Sequence, residues 1–308
     1  LAGCFITSVC WIIYSNQTIK PVVVNAIKQK TSKSPSTNWE ALRNYRQGFD
    51  KNLFQIIERD GIKIAENCTE EIGAPELKAL AKLKFQGVRL IGFSSPDGLS
   101  NALPVKEMRI LELENSKIKN SCLKEIGTMT NLNTLLIDSP NITDNGMTYL
   151  NELKSLELLT LNCPELTDEG LIKLNLTKLK TITLLSPNIS GSGLISLVQS
   201  PLVHARFACS GMSPDIGHIL SQFPKLKYLE FSGVNLSKES LEAISKNEPM
   251  ALKLKDTNLS SEEFDVLSQM SSLFQLDLND TPVTEENLKK LSKLKRLYFL
   301  DLSGYRKI

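Results

Sequence analysis

The stretch LELLTLNCPELTDEGLIKLNLTK, Leu156 to Lys178, decides the reading of this chain because its spacing recurs along most of the sequence. At its centre two apolar residues stand two apart, Leu159 and Leu161. The same pair returns at Val88/Leu90, Leu111/Leu113, Leu135/Ile137, Ile182/Leu184, Ala205/Phe207, Leu229/Phe231, Leu252/Leu254, Leu276/Leu278 and Leu300/Leu302. Successive steps are 23 or 24 residues throughout. A fixed period in the twenties marks a solenoid, in which each unit stacks on the next. Another apolar residue sits three before most pairs (Leu132, Leu156, Leu179, Leu202, Leu226, Leu273, Leu297), and an Ile, Leu, Met or Val five after, giving the consensus LxxLxLxxxx(I/L)(T/S).

The repeat has a direct physical meaning. Alternation at LxL puts both apolar residues on one face of a short strand and the residues between them on the other. A Ser or Thr then precedes an apolar period of three to four, as in Thr284 followed by Leu288, Leu291 and Leu294, which is how a helix N-cap looks in sequence. Thr143, Thr167, Ser190, Ser213, Ser237, Ser260 and Thr284 are predicted caps, and Ser260 with Glu263 has capping-box spacing. Each unit is strand, turn, short helix, return. One unit cannot bury its own leucines, but ten strands at roughly 4.8 Å share a continuous core.

The pattern resembles the leucine-rich-repeat family over residues 75 to 304. LNCPELTDEGLIKL (161–174) and LNDTPVTEENLKKL (278–291) are similar to the short "L-T-D-x-G-L" repeats of bacterial proteins and, less closely, to the cysteine-containing repeats of F-box proteins. The resemblance implies an α/β solenoid, curved, with parallel strands on its concave face and short helices on the convex face. The chain departs at the family's Asn position, which holds Ser116, Pro140, Pro164, Pro187, Ser210, Val234, Thr257 and Thr281. Short hydroxyls are expected to replace part of the missing Asn ladder, whereas prolines have no N–H to donate.

The N-terminal quarter is different in kind. Residues 1–14 are almost all apolar and read as part of a transmembrane anchor or an uncleaved signal; a lipobox at Leu1-Ala2-Gly3-Cys4 and a buried core segment are the alternatives. Residues 15–38, with four lysines and KTSKSPSTN, read as a tether. Within 39–74, Trp39, Leu42, Phe49, Leu53 and Ile56 or Ile57 predict a helix stopped by Gly61 that caps the first repeat or binds a partner, followed by a preliminary strand at Ile62/Ile64. Repeats are expected over 75–308.

Composition narrows the function. Lys plus Arg is 36 against 34 for Asp plus Glu, net +2, so no basic face for nucleic acid is expected. The six cysteines read as free thiols: Cys163 and Cys209 recur two layers apart, roughly 10 Å, beyond a disulfide's reach of about 7 Å. His204 and His218 have no metal-ligand spacing, and no phosphate loop, nucleophile elbow or paired-carboxylate motif is present. No cofactor and no catalysis are expected. Ala205, in place of a core leucine, predicts a loosely packed layer at 200–225.

What remains is the sheet's outward face. Two clusters stand out among the residues interleaved with the core leucines: His204, Arg206, Tyr228, Glu230, Lys253 and Lys255, which combine aromatic and cationic anchors, and Leu136, Leu158 and Leu185, an apolar set. The expected function is a non-catalytic, membrane-tethered binding module in the cell envelope that presents this face to a protein or a surface polymer. The second expectation is the sensor or scaffold segment of a larger membrane-spanning enzyme, for example a kinase.

Overall fold

The computed structural model describes residues 54–59, 61–67, 85–93, 99 and 106–304. The expected anchor, the tether, the helix over 39–53, Leu77 to Leu83 and Cys4, Cys10 and Cys68 lie outside the described residues. Those described fall within one compact unit, Phe49–Ile308.

Twelve strands form one sheet in strict chain order: β1 (Phe54–Arg59), β2 (Ile62–Asn67), β3 (Gly87–Ile91), β4 (Ile110–Glu114), β5 (Thr134–Asp138), β6 (Leu158–Asn162), β7 (Thr181–Leu184), β8 (His204–Phe207), β9 (Tyr228–Ser232), β10 (Ala251–Lys255), β11 (Gln275–Asp277) and β12 (Phe299–Asp301). From β2 onward every pairing is parallel, and the register aligns each apolar pair with the next, Leu135 on Leu159 on Ile182 on Ala205. This is the leucine-rich-repeat solenoid. Both members of every pair from Val88/Leu90 to Leu276/Leu278 are at most 1% exposed, whereas Leu300 in the last layer is 38% exposed.

The N-terminal edge differs from the helix expected there. Residues 54–59 are a strand, antiparallel to β2, with Phe54 opposite Asn67 and Arg59 opposite Ile62. Gly61 does not stop a helix; it sits in the hairpin turn at φ 74°. The reason is local: Asp60-Gly61 between FQIIER and IKIAEN is a strong hairpin signal, because a tight turn matching the strand twist needs positive φ, and the paired isoleucines favour extended backbone.

Helices follow the strands as the caps require, with two exceptions. Thr167, Ser237 and Thr284 accept hydrogen bonds from Glu169 N, Ser240 N and Asn287 N, and Ser260 with Glu263 closes a capping box. Thr143 caps the 3-10 helix Asp144–Glu152 by position but bonds sideways, accepting from Asn120 Nδ2 at 2.7 Å. Ser190 and Ser213 are not N-caps. The helices there start later, at Ser192–Leu197 behind Gly191 (φ 94°) and at Gly217–Leu220 behind Ile216. Ser213 instead accepts from Asp215 N across Pro214, and Pro214 holds the residue before it out of the helical region.

The L-T-D-x-G-L motif acquires a purpose between layers. The Asp side chain caps the next layer: Asp144 accepts from Thr167 N at 2.9 Å and Thr167 Oγ1 at 2.7 Å. Asp168 accepts from Ser190 N, Gly191 N and Gly193 N at 2.7, 3.0 and 2.8 Å. Burial pushes the Asp168 carboxyl up, but these donors outweigh it and hold the group below the usual carboxylate range. The Gly leaves room for that approach. A Cβ on Gly170 would stand 2.3 Å from Asp144 Oδ1, and on Gly193 2.5 Å from the Asp168 carbonyl oxygen.

The turn after each strand exists in two phases. In the outer layers the second residue past the apolar pair takes positive φ (Gly92, Asn115, Gly233, Asp256, Asp280, Gly304), and the third is buried where its burial is described (Phe93, Ser116, Val234, Thr257, Thr281). In the four central layers, β5 to β8, the extended alternation runs one step further. Ser139, Cys163, Ser186 and Cys209 are fully buried, while Pro140, Pro164, Pro187 and Ser210 turn outward. The polar ladder therefore does not stop at the prolines but moves one residue earlier. Ser139 Oγ donates to the Ile118 carbonyl at 2.9 Å, Cys209 Sγ lies 3.3 Å from the Leu184 carbonyl, and Ser186 Oγ accepts from Cys163 N at 3.3 Å. Thr281 does the same work in the outer phase, donating to the Leu254 carbonyl at 2.7 Å.

Cys122, Cys163 and Cys209 are buried, and Cys163 and Cys209 are free thiols. Burial pushes the Cys163 thiol up to about 12 and the Cys209 thiol up to about 11. The layer containing Ala205 is not short of bulk: Phe207 and Phe223 lie fully buried in it, and Phe207 packs on Phe231 with ring centroids 5.5 Å apart.

Candidate functional site

The parallel register carries the outward residues into rows that cross the strands. The middle row runs Glu66, Arg89, Glu112, Leu136, Thr160, Thr183, Arg206, Glu230, Lys253, Asp277, Asp301. It is charged at both ends and neutral over β5 to β7.

Five of the six residues in the expected polar-aromatic cluster come together on β8, β9 and β10. His204 is opposite Tyr228, with ring centroids 6.2 Å apart, and Arg206 is opposite Glu230, which is opposite Lys253. Glu230 is only 8% exposed, and its two oxygens divide between neighbours: Oε1 lies 3.1 Å from Arg206 Nε and Oε2 3.2 Å from Lys253 Nζ. The Arg206 contact is an ion pair without hydrogen-bond geometry, since the buried Nε has no hydrogen-bond partner. Burial pushes the Glu230 carboxyl up, yet Arg206 and Lys253 more than offset this and hold it below its ordinary value. Burial likewise pushes His204 down. Glu230 opposes that shift while Lys253 and Arg206 add to it, so His204 is neutral at neutral pH. Tyr228 places its hydroxyl 3.8 Å from Met250 Sδ. Lys255 belongs to the next pairing, 3.4 Å from Asp277 Oδ2.

The cations of this cluster are thus partly neutralised from within, and they are held rather than free. Arg206, Lys253 and Lys255 keep 38%, 26% and 33% of their side-chain surface exposed. The arrangement is a pre-positioned polar and aromatic surface.

The apolar set is not brought together. Leu136, Leu158 and Leu185 are all half-buried and lie on neighbouring layers, but at different heights. Leu158 is in register with Thr181, four residues before Leu185, so the two stand roughly 13 Å apart along the strand with Thr160 and Thr183 between their levels. Spacing within a unit put them on one face; only the register shows that they are staggered, Leu136 two residues above the level of Leu158 and Leu185 two above that of Leu136.

A second charge network escaped the sequence. On β1 to β4, Arg89 pairs with Glu66 at 2.7 Å and Glu114 at 2.8 Å, and Arg59 pairs with Glu112 at 2.6 Å. Burial pushes the Arg89 guanidinium down, but Glu114 and Glu66 outweigh it and hold the group above its ordinary value. Glu66 was legible, standing 23 residues before Arg89 as Arg89 stands before Glu112. Arg59 was not, because the antiparallel β1 lies outside the repeat.

Among the described residues no three His, Cys, Asp or Glu side chains are placed to hold a metal ion. No described helix is long and apolar enough to cross a membrane.

No family model matches the chain, and no curated protein matches it. Among solved structures it is similar to an internalin from Listeria monocytogenes, at 15% identity and a TM-score of 0.27, covering 75% of this chain and 89% of that one. It is also similar to internalin C2 from the same organism, at 15% identity and a TM-score of 0.36, covering 75% and 84%. The leucine-rich-repeat architecture rests on the strand order and register.

Proposed function

We propose that this leucine-rich-repeat solenoid is a non-catalytic binding module that recruits a protein partner through the outward face of its sheet. The observation that carries the proposal is the cluster on β8 to β10. There a nearly buried carboxylate, Glu230, pins Arg206 and Lys253 beside the His204–Tyr228 pair, so the surface is ordered before a partner arrives. Ordering side chains in advance removes about 0.5–1.5 kcal/mol of immobilisation cost per side chain on binding. Aromatic and arginine anchors dominate protein interfaces. We extend the proposal to the placement of the module, tethered to the membrane at the cell envelope through residues 1–14 and the linker at 15–38, on the basis of their apolar and lysine-rich sequences.

The experiment is a pull-down with the chain, followed by affinity measurement on whatever partner is recovered. Tyr228→Ala or Arg206→Ala is expected to cost on the order of 1–3 kcal/mol of affinity; Tyr228→Ala leaves thermal stability nearly unchanged because its side chain does not point into the core, whereas Arg206→Ala also removes one of the two cations that hold the nearly buried Glu230 and lowers Tm. Alanine at Leu136, Leu158 and Leu185 is the parallel arm. Normal binding by the first pair together with loss in the second set would assign the partner to the staggered leucines instead.

A further inference from the structure

We propose that the return-loop rim of the C-terminal layers docks on an anionic lipid surface. The rim is defined by a backbone ladder that runs beside the sheet, one residue per layer. Lys227 N bonds to the Val203 carbonyl, Met250 N to Lys227, Phe274 N to Met250 and Tyr298 N to Phe274, at 2.8 to 3.0 Å. Residues that lie 23 or 24 apart in the chain are therefore neighbours on this edge. Its exposed side chains are of two kinds. Phe274 and Tyr298, 46% and 70% exposed, stack on each other with centroids 5.1 Å apart and planes 7° apart. On the same rim stand Lys295 and Arg296 in the layer of Tyr298 and, two layers before Phe274, Lys225, all exposed, with the half-buried Lys227, whose ammonium donates to the Asn247 carbonyl.

Charge and shape both point to a bilayer. Along the rim segments 224–227, 248–250, 271–274 and 295–298 there are four cations against one acid, Glu248, a net +3 where the whole chain is only +2. Lys225, Lys295 and Arg296 form no ion pair with any described residue, in contrast to Lys290, which pairs with Asp265 at 2.9 Å. Aromatic side chains with a polar tip, bordered by Lys and Arg, suit the headgroup level of a membrane, where ring bodies reach the acyl boundary and cations stay with the phosphates. A single-stranded nucleic acid is the poorer fit, because the two rings stack as one pair and do not offer the succession of separate ring faces on which successive bases stack. This inference is independent of the sheet-face proposal.

The test is co-sedimentation of the full chain with phosphatidylcholine vesicles and with vesicles containing phosphatidylglycerol. The N-terminal segment is present in every variant, so only differences between variants are read. A surface cation is worth about a fivefold change in partition onto anionic lipid. Lys295→Ala with Arg296→Ala is therefore expected to weaken partition onto the anionic vesicles about twenty-fivefold and leave the neutral vesicles unaffected. Phe274→Ser with Tyr298→Ser is expected to weaken both, and Tyr298→Trp to retain binding. Thermal melts of each variant confirm the fold. Wild-type partition by both double variants overturns the proposal. So does partition insensitive to the charge pair when a free oligonucleotide of dT binds the wild type and loses the charge variant, which assigns the rim to a soluble polyanion.

Discussion

Gly217→Ala puts the layer-contact reasoning to the test, because an ideal Cβ at this position would meet only backbone. It would stand 2.2 Å from the Ser240 carbonyl oxygen, 2.4 Å from its Cα and 2.6 Å from its carbonyl carbon, where ordinary contacts begin at 3.4 Å. No side-chain rotation relieves this, so the adjoining layers must part by roughly 1 Å at that edge, the shortfall from ordinary contact. The parting also stretches the 2.8 Å bond from Gly217 N to Ser240 Oγ. Overpacking costs about 1–3 kcal/mol and a weakened hydrogen bond about 1 kcal/mol, while replacing Gly inside a helix returns about 0.4–1 kcal/mol. The net is a destabilisation of about 2 kcal/mol, or about 4–8 °C in Tm for a domain of this size. Thermal melting by circular dichroism reads the total, and amide exchange should show the loss concentrated in the layers of β8 and β9, since a solenoid couples mainly to nearest neighbours. Because the clash is with backbone, Ser240→Gly should not rescue it. A variant melting at or above the wild-type temperature would refute the account, as helix propensity would then have outweighed the clash.

Other outcomes follow from the same geometry. Asp168→Ala removes three backbone bonds from the next layer and should cost about 2–4 kcal/mol in chemical denaturation; Asp168→Asn, which keeps one acceptor, should cost less. Since the folded Asp168 and Glu230 carboxyls are held below their ordinary values, the stability they contribute is present above the usual carboxylate range and lost as pH falls from that range through the lowered folded values, which acid titration of Tm in wild type and Asp168→Asn should separate. Cys163 and Cys209 have raised thiol values, so the folded protein should resist a thiol reagent at pH 8 and react fully only when denatured; prompt reaction of either would show that its layer opens. Ala205→Leu should destabilise by about 1–3 kcal/mol rather than fill a gap, because phenylalanines already supply bulk in that layer; a higher Tm would restore the loose-layer expectation.

Much of this molecule is determined by the sequence alone. The 23- and 24-residue steps place ten strands, their inward pairs and their parallel order, because a residue's face within a strand depends only on alternation and each unit can bury its leucines only on its neighbours. The Thr caps at Thr167 and Thr284 and the capping box at Ser260 follow for the same reason, being contacts within three residues. Even the phase of the turns left a trace: Gly, Asn or Asp at the second position tolerates positive φ, while Ser-Pro or Cys-Pro does not call for it. Tertiary structure alone decided what depends on distance across layers. It staggered Leu136, Leu158 and Leu185 at different heights, tied Arg59 to Glu112, and bound Arg206 and Lys253 of the candidate site to Glu230. It also brought Phe274 against Tyr298, 24 residues away. Periodicity reports the direction a side chain takes from its own backbone, but which side chains meet is settled by register and by the reach of long side chains, and neither is a property of any single repeat.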